Sequence, residues 1–328
     1  MNNLKILSTG VYLPKKIVLA EEFDKIFNFE KGWTYKKSGV KQRHYVTDET
    51  QVDMAVYATE NALKKANLQK ESLECIIFAG GVCQQLIPCT ASLVQKELEL
   101  GDTGIPCFDI NSTCLGFVTA LDVASFLIEK YKRILVVSSD IASVGIDYAD
   151  PKSCILFGDG AGAVIVEKAD ENCSSKILTY NFKTFGNGAE HACIKGGGTS
   201  LYATNYTKEN EKDFLFHMDG TKLYEIASRK LGQIYNDALA SVSMTIEDLK
   251  MIIPHQASLM SMKLLQRKLK VPDEKFMYNI ENVGNTIASS IPIALNQALE
   301  EKRIKRGDKV MLVGTSAGLS IGVMILEY

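Results

Sequence analysis

The sequence has no excess of charge of either sign and no long apolar run. Its 37 Lys and Arg nearly balance its 39 Asp and Glu, which gives a net charge of −2 over 328 residues. This balance leaves no broad basic surface, so we expect no nucleic-acid partner. No apolar run approaches the roughly 20 residues that cross a bilayer, and the N-terminus lacks the apolar segment of a signal peptide. We therefore expect no membrane insertion.

The cysteines show no pairing pattern. None forms a C-x-x-C pair or matches zinc-finger spacing, which argues against a metal site and a structural disulfide framework. Most lie in or beside apolar segments, where free cysteine behaves as a small buried apolar residue. This use of free cysteines predicts a reducing compartment, and hence a cytoplasmic protein. The spacing of the cysteines predicts no metal. The eight cysteines are Cys75, Cys83, Cys89, Cys107, Cys114, Cys154, Cys173 and Cys193.

Cys114 stands where an apolar strand gives way to a helix. Residues 108–110 are strand-like, residues 111–113 are polar, and residues 115–128 have the pattern of an amphipathic helix. A thiol in the first turn of a helix faces free backbone N–H groups and the positive end of the helix dipole. We therefore expect a lowered pKa for Cys114 and a nucleophilic thiolate. The alternative is a buried structural thiol.

His255 and Asn285 lie far downstream, in the strings Pro254-His255-Gln256-Ala257 and Gly284-Asn285-Thr286. Together with Cys114 they are the parts of a site that handles thioesters. The other three histidines have no comparable setting. Asn285 could instead cap a helix, because Asn is favoured at that position.

The chain contains two similar halves. A repeated order of similar segments favours duplication over the chance likeness of any two βαβ units. Apolar strands joined by helices predict parallel sheets covered on both faces. We expect a duplicated α/β fold of five layers (α-β-α-β-α), with residues 1–171 carrying the cysteine and residues 172–328 carrying the histidine and asparagine. The matching segments are 72–77 with 247–253, 111–121 with 285–295, 133–137 with 309–313, and 160–167 with 318–325.

The chain contains a series of short segments whose residues and order can be compared with those of known protein families. In order, they are residues 10–15, Trp33, and residues 38–43, 109–117, 156–163, 254–257 and 284–286. On the basis of these segments and their order, the chain resembles the β-ketoacyl-acyl carrier protein synthase III family of the thiolase superfamily over essentially its whole length. The resemblance implies a thiolase-like fold and a homodimer.

The resemblance also implies a decarboxylating condensation in two steps. A short acyl-CoA acylates Cys114 and CoA leaves; malonyl-acyl carrier protein then loses CO₂, and its carbanion attacks the thioester. In this scheme His255 and Asn285 assist decarboxylation, and the backbone N–H groups of Cys114 and Ala317 form an oxyanion hole. Acyl-CoA and malonyl-acyl carrier protein are both substrates, so no cofactor is expected. The product would begin fatty acid synthesis or a related pathway.

Two sets of residues are candidates for substrate binding. Trp33, Lys37 and Lys152 stand near positions where the family contacts CoA. Lys263, Arg267 and Lys270 recur at helical spacing on one face after His255. That face could be merely solvated, or it could dock the acidic carrier protein.

Departures from the family pattern keep other functions open. Residues 315–318 replace a run of glycines, and Ser112-Thr113 replace smaller residues before the cysteine. A specialised relative could condense an acyl thioester with a 3-keto thioester, or transfer the acyl group to another acceptor. A cysteine hydrolase and a subunit of a heteromeric synthase are further alternatives. Glycine-rich residues 158–162 lack the Lys-Ser/Thr of a phosphate-binding loop, so we interpret them as a tight turn.

Overall fold

The computed structural model describes residues 3–328. Its strands are β1 (Leu4–Tyr12), β2 (Lys16–Leu19), β3 (Gln42–Tyr45), β4 (Cys75–Phe78), β5 (Cys107–Asp109), β6 (Arg133–Asp140), β7 (Gly160–Lys168), β8 (Lys176–Thr184), β9 (Ala192–Cys193), β10 (His217–Met218), β11 (Met251–Pro254), β12 (Lys309–Ser316) and β13 (Ser320–Glu327). Its α-helices are α1 (Ala20–Ile26), α2 (Trp33–Ser38), α3 (Gln51–Ala66), α4 (Thr90–Glu97), α5 (Gly116–Leu127), α6 (Gly220–Ser241), α7 (Leu259–Leu269), α8 (Ile280–Val283) and α9 (Ser290–Glu300).

The two large sheets repeat one strand order. The first sheet is β1-β7-β6-β4-β5 and the second is β8-β13-β12-β11. In each sheet the first three strands pair antiparallel. The next pair is parallel, β6 with β4 and β12 with β11. Where the first sheet has β5, the second has a single parallel bridge between Ile252 and Phe276. The repetition confirms the duplicated α/β fold.

The expectation of parallel sheets is wrong, because both sheets are mixed. The reason lies in the connections. A loop of residues 141–159 joins β6 to β7, and a short turn at residues 317–319 joins β12 to β13. Without a crossover helix between them, consecutive strands in one sheet return antiparallel.

Two helices form the central layer between the sheets. α5 and α9 contribute Phe117, Leu121 and Leu295 to one buried cluster that also contains Ile77 of the first sheet and Leu312 of the second. A helix that is apolar on nearly all sides is stable only when it is covered all round. The helix expected at residues 115–128 therefore corresponds to α5, and α9 is its counterpart in the second half.

The outer faces of the sheets are covered by helices that are less apolar than α5 and α9. α3 and α4 pack on the first sheet around Phe78 and Leu135. α6 and α7 pack on the second sheet around Ile252 and Met311. Because side chains alternate along each strand, neighbouring residues of one strand enter different layers. This arrangement gives the five layers that the sequence predicts.

The predicted division between residues 171 and 172 lies in the loop of residues 169–175 that joins β7 to β8. It stays a prediction. Within residues 3–328, none of the helices has the length and apolar character needed to cross a membrane.

Candidate active site

A cavity of about 500 Å³ is lined by residues from both halves, including Cys114, His255 and Asn285. Its surface is mostly apolar, with side chains such as Ile141 and Phe157. The three residues singled out from the sequence thus line one cavity, although they lie up to 171 positions apart. An apolar pocket with a few convergent polar groups is the usual form of a small-molecule site.

A turn with a left-handed residue presents Cys114 to this cavity. Thr113 has a φ of 47°, which is uncommon for a residue other than glycine. The Asn111 side chain supports this turn, because its Oδ1 accepts the N–H of Thr113 at 2.8 Å. The Thr113 hydroxyl donates to the carbonyl of Ala317 at 3.3 Å. The turn that precedes Cys114 is therefore tied to the loop between β12 and β13.

The second half contains the same turn. The Oδ1 of Asn285 accepts the N–H of Ile287 at 2.9 Å, and Ile287 has a φ of 52°. The matching of residues 111–121 with 285–295 in the sequence is thus reproduced in backbone conformation. By this correspondence Ala288 occupies the place of Cys114. Asn285 is not the residue that caps α9, which begins after Ser289.

The string at residues 156–160 fixes the position of Asn285. The N–H of Asn285 donates to Leu156 at 2.8 Å, and its carbonyl accepts the N–H of Gly158 at 3.1 Å. A Cβ at residue 158 would lie 2.2 Å from the carbonyl oxygen of Val283, so only glycine fits. Asp159 instead accepts the N–H of Val46 at 2.9 Å. The glycine-rich string therefore holds the site together by backbone contacts.

The His255 ring is buried, and Ser290 holds it. Nδ1 lies 2.7 Å from the Ser290 hydroxyl oxygen, which also accepts the N–H of Gln256 at 3.4 Å. The direction of the Nδ1 contact depends on the tautomer: a serine hydroxyl that donates to Nδ1 leaves the ring proton on Nε2. Burial lowers the pKa of His255 to about 4. The histidine is therefore a neutral N–H donor at physiological pH.

The expectation of a lowered pKa for Cys114 is wrong for the free protein. Burial, together with the nearby negative charge of Asp140, raises the pKa of the thiol to about 12. The backbone N–H groups of Ala317 and of Cys114 itself act in the opposite direction. They are the two donors expected to form the oxyanion hole, and both are directed at the sulfur. Loss of hydration thus outweighs the effect of the helix start.

The binding residues expected from the sequence lie outside the cavity lining. Trp33 packs on Phe29, with ring centroids 4.0 Å apart, and against the apolar cluster that includes the cavity residue Phe157. Lys37 and Lys152 are exposed. Lys263, Arg267 and Lys270 are exposed on or directly after α7.

Sequence reasoning missed one wall of the cavity and two residues behind it. α6 and the β9–β10 pair supply Cys193, Met218 and Tyr224, and α7 supplies Lys268. The amphipathic pattern of α6 was the available indication. No sequence pattern indicated Ser290 or Asp140, because their contacts join residues far apart in sequence.

Stability should depend on pH through His255. Its pKa falls from an ordinary 6.5 to about 4 on folding, so the unfolded chain binds more protons between these values. The contribution of His255 to the free energy of unfolding is complete above pH 6.5 and is lost as the pH falls towards 4. The whole effect corresponds to about 3 kcal/mol. Urea unfolding should show a steeper loss for the wild type than for His255→Gln between pH 6.5 and 4.5. Equal losses in both proteins would show that the imidazole is not buried in its neutral form.

Two family profiles match the chain. The profile described as 3-oxoacyl-[acyl-carrier-protein (ACP)] synthase III matches residues 108–186, and its C-terminal counterpart matches residues 239–328. The first range contains Cys114, and the second contains His255 and Asn285.

Similar proteins cover the whole chain. The β-ketoacyl-[acyl-carrier-protein] synthase III of Aquifex aeolicus is 36% identical over 326 residues, covering 99% of both chains. That of Clostridium perfringens strain SM101 is 33% identical over 329 residues, covering 100% of both. The crystal structure of 3-oxoacyl-[acyl-carrier-protein] synthase III from Aquifex aeolicus VF5 matches with a TM-score of 0.89 and 35% identity, covering 99% of this chain and 100% of the other. The chain therefore belongs to the 3-oxoacyl-[acyl-carrier-protein] synthase III family.

Proposed function

We propose that this protein condenses an acyl-CoA starter with malonyl-acyl carrier protein, giving a 3-oxoacyl-carrier product, CoA and CO₂. The reaction would begin fatty acid synthesis or a related pathway. The observation that supports it most directly is the convergence of Cys114, His255 and Asn285 on one apolar cavity. Both partners are substrates, so the reaction calls for no cofactor. All eight cysteines are free, in keeping with a reducing cytoplasm.

The first step is acylation of Cys114. The sulfur attacks the carbonyl carbon of acyl-CoA, the bond to the CoA sulfur breaks, and the thiol proton leaves with CoA. The N–H groups of Cys114 and Ala317 stabilise the negative oxygen of the tetrahedral intermediate. Because the pKa of the free thiol is high, the sulfur is mostly protonated at neutral pH and must lose its proton as it attacks.

The second step is decarboxylation and condensation. The bond between the malonyl carbon and its carboxylate breaks, CO₂ leaves, and the electron pair passes onto the thioester oxygen as an enolate. His255, through Nε2–H, and Asn285, through its side-chain NH₂, are the donors for that oxygen. The enolate carbon then attacks the acyl group, and Cys114 leaves as a thiolate that regains a proton. The low pKa of His255 keeps its ring neutral while it donates.

Substrates would enter at the open end of the cavity, where Tyr224 and Lys268 are exposed. Trp33, Lys37 and Lys152 are candidates for contact with CoA. Lys263, Arg267 and Lys270 are candidates for docking the carrier protein. Among residues 3–328, no salt bridge engages these three basic side chains, so their charge is available to an acidic partner.

A homodimer is part of the proposal. β5 ends the first sheet, and within residues 3–328 no further strand pairs with its outer edge, the kind of edge that proteins normally cover. In the loop before α4, Leu86 is 57% exposed and Ile87 is 85% exposed. An apolar loop beside an open strand edge favours pairing with a second copy.

A different acceptor is the main alternative for the second step. Thr315 and Ser316 line the cavity beside Cys114 in place of glycine, so the space around the sulfur differs from the family pattern. A 3-keto thioester or another acyl acceptor would use the same acyl-cysteine. Failure of malonyl-acyl carrier protein to release CO₂ from an acylated protein would favour this alternative. A requirement for a second homologous chain would favour a heteromeric synthase.

Acyl transfer to Cys114 should be visible by mass spectrometry of the intact protein. A panel of acyl-CoAs should add one acyl group to the wild type and none to Cys114→Ala, because the thioester forms at that sulfur. Cys193→Ala is the matched control, since Cys193 lines the same cavity, and it should acylate normally. An adduct on Cys114→Ala equal to that of the wild type would contradict the assignment.

Loss of either enolate donor should separate the two steps. His255→Ala and Asn285→Ala should still form the acyl adduct. Release of ¹⁴CO₂ from labelled malonyl-acyl carrier protein should slow by about 100-fold or more, the usual effect of removing one donor to a developing oxyanion. Unchanged CO₂ release in both variants would remove these residues from the mechanism.

Charge reversal should distinguish the two binding surfaces. The triple variant Lys263→Glu, Arg267→Glu, Lys270→Glu should raise KM for malonyl-acyl carrier protein by about tenfold, with KM for acyl-CoA unchanged. The double variant Lys37→Glu, Lys152→Glu should raise KM for acyl-CoA and leave KM for malonyl-acyl carrier protein unchanged. The effect on the carrier protein should fade at high salt. If both sets of changes alter both KM values equally, the assignment of separate surfaces is wrong.

The dimer is tested by sedimentation equilibrium. The wild type should sediment with twice the mass of one chain. Ile87→Asp should weaken the dimer, because the aspartate charge would be buried at the contact. Ile26→Asp is the control, since Ile26 is an exposed apolar residue on α1. A wild type that sediments as a single chain at micromolar concentration refutes the dimer.

A further inference from the structure

Asp140 is a completely buried acid at the end of β6, and neither step above uses it. Burial raises its pKa to about 6, so it is still ionised at neutral pH. A buried charge without a structural or functional use is costly. Its contacts therefore need an explanation.

The carboxylate bridges the two halves of the fold. Oδ1 accepts the N–H of Gly81 at 2.6 Å, in the loop after β4. Oδ2 accepts the N–H of Ser289 at 3.1 Å and the Ser289 hydroxyl at 2.9 Å. The N–H of Ala288 also stabilises the charge. Each of these backbone groups donates an N–H, so only a side chain with an acceptor on both sides, such as a carboxylate, satisfies all of the donors.

The turn that Asp140 holds lies between the two proposed enolate donors. Ser289 is the last residue of the turn that follows Asn285. Ser290, the next residue, contacts Nδ1 of His255 at 2.7 Å. The carboxylate also lies at the positive end of α9, where negative charge is favoured. One acid of the first half therefore fixes the segment of the second half on which both donors depend.

We propose that Asp140 is a positioning residue for decarboxylation: its carboxylate fixes the turn before α9, so that His255 and Asn285 face the substrate together. This inference rests on the proposed function. It assigns Asp140 no contact with the substrate and no proton transfer. Its effect passes through Ser289 to the start of α9 and from there to the two donors.

The same charge opposes thiolate formation at Cys114, since the carboxylate acts to raise the pKa of that thiol. Asp140 thus has opposite effects on the two partial reactions. It disfavours ionisation of the nucleophile and supports the alignment of the enolate donors. A residue that only stabilised the fold would affect both in the same direction. This contrast provides the test.

Asp140→Asn keeps the shape and removes the charge. Its NH₂ group must face either the N–H of Gly81 or that of Ser289, so one side of the bridge is lost. Release of CO₂ from malonyl-acyl carrier protein should fall by about tenfold in kcat, with KM unchanged. Alkylation of Cys114 by iodoacetamide near neutral pH should become faster by about threefold or more, because the repelling charge is gone.

Ser289→Ala and Ser290→Ala complete the test and cover a failure of Asp140→Asn to fold. Ser290→Ala leaves every contact of the carboxylate in place, so alkylation of Cys114 should stay at the wild-type rate in that variant. Ser290→Ala should slow decarboxylation because Nδ1 of His255 loses its partner, and Ser289→Ala should slow it less. The proposal is overturned if Asp140→Asn slows alkylation and decarboxylation in parallel, if it leaves decarboxylation unchanged, or if neither serine variant slows decarboxylation.

The outcome can be separated from failure of the proposed function. If the wild type releases no CO₂ from malonyl-acyl carrier protein, the proposed function fails. Alkylation would then still report whether the Asp140 charge acts on Cys114, and the role in decarboxylation would fall with the function it serves.

Discussion

The site depends on the burial of two helices, α5 and α9, between two sheets. Each helix starts from an asparagine-supported turn, and the shared cluster around Phe117, Leu121 and Leu295 fixes the two helices relative to one another. Apolar contact over such a layer is the largest favourable contribution to folding. Because the helices are held as a pair, their turns open onto the same cavity. The apolar core thus determines the position of the polar groups.

Burial also sets the ionisation of the central pair. The thiol of Cys114 and the imidazole of His255 are both shifted towards their neutral forms. Two opposite shifts of this kind leave an uncharged pair in the empty site, rather than a thiolate and an imidazolium. A neutral thiol is a weaker nucleophile than a thiolate. The neutral ring is also the form that can donate one proton and accept another.

The sequence was sufficient for the duplicated architecture and for the three residues Cys114, His255 and Asn285 that meet in the cavity, because both have local patterns. The turn strings around Cys114 and Asn285, and the repeated segments, are short and contiguous. Sheet direction was mispredicted because it depends on whether a crossover helix intervenes, and residues 141–155 of the connecting loop have no clear pattern. The pKa of the thiol was mispredicted because desolvation is a property of the assembled cavity. Ser290 and Asp140 escaped notice because contacts across 35 and 149 positions leave no trace in spacing.

The two matching turns differ in what covers them. Thr113 and Ile287 adopt the same rare conformation, yet one turn presents Cys114 to the cavity and the other presents Ala288 to the sealed interior. Backbone shape alone therefore does not create a reactive position. The halves differ in which residue of the turn reaches the cavity: Cys114 in the first half, and Asn285 and Ile287 in the second, where the position that matches the cysteine is buried.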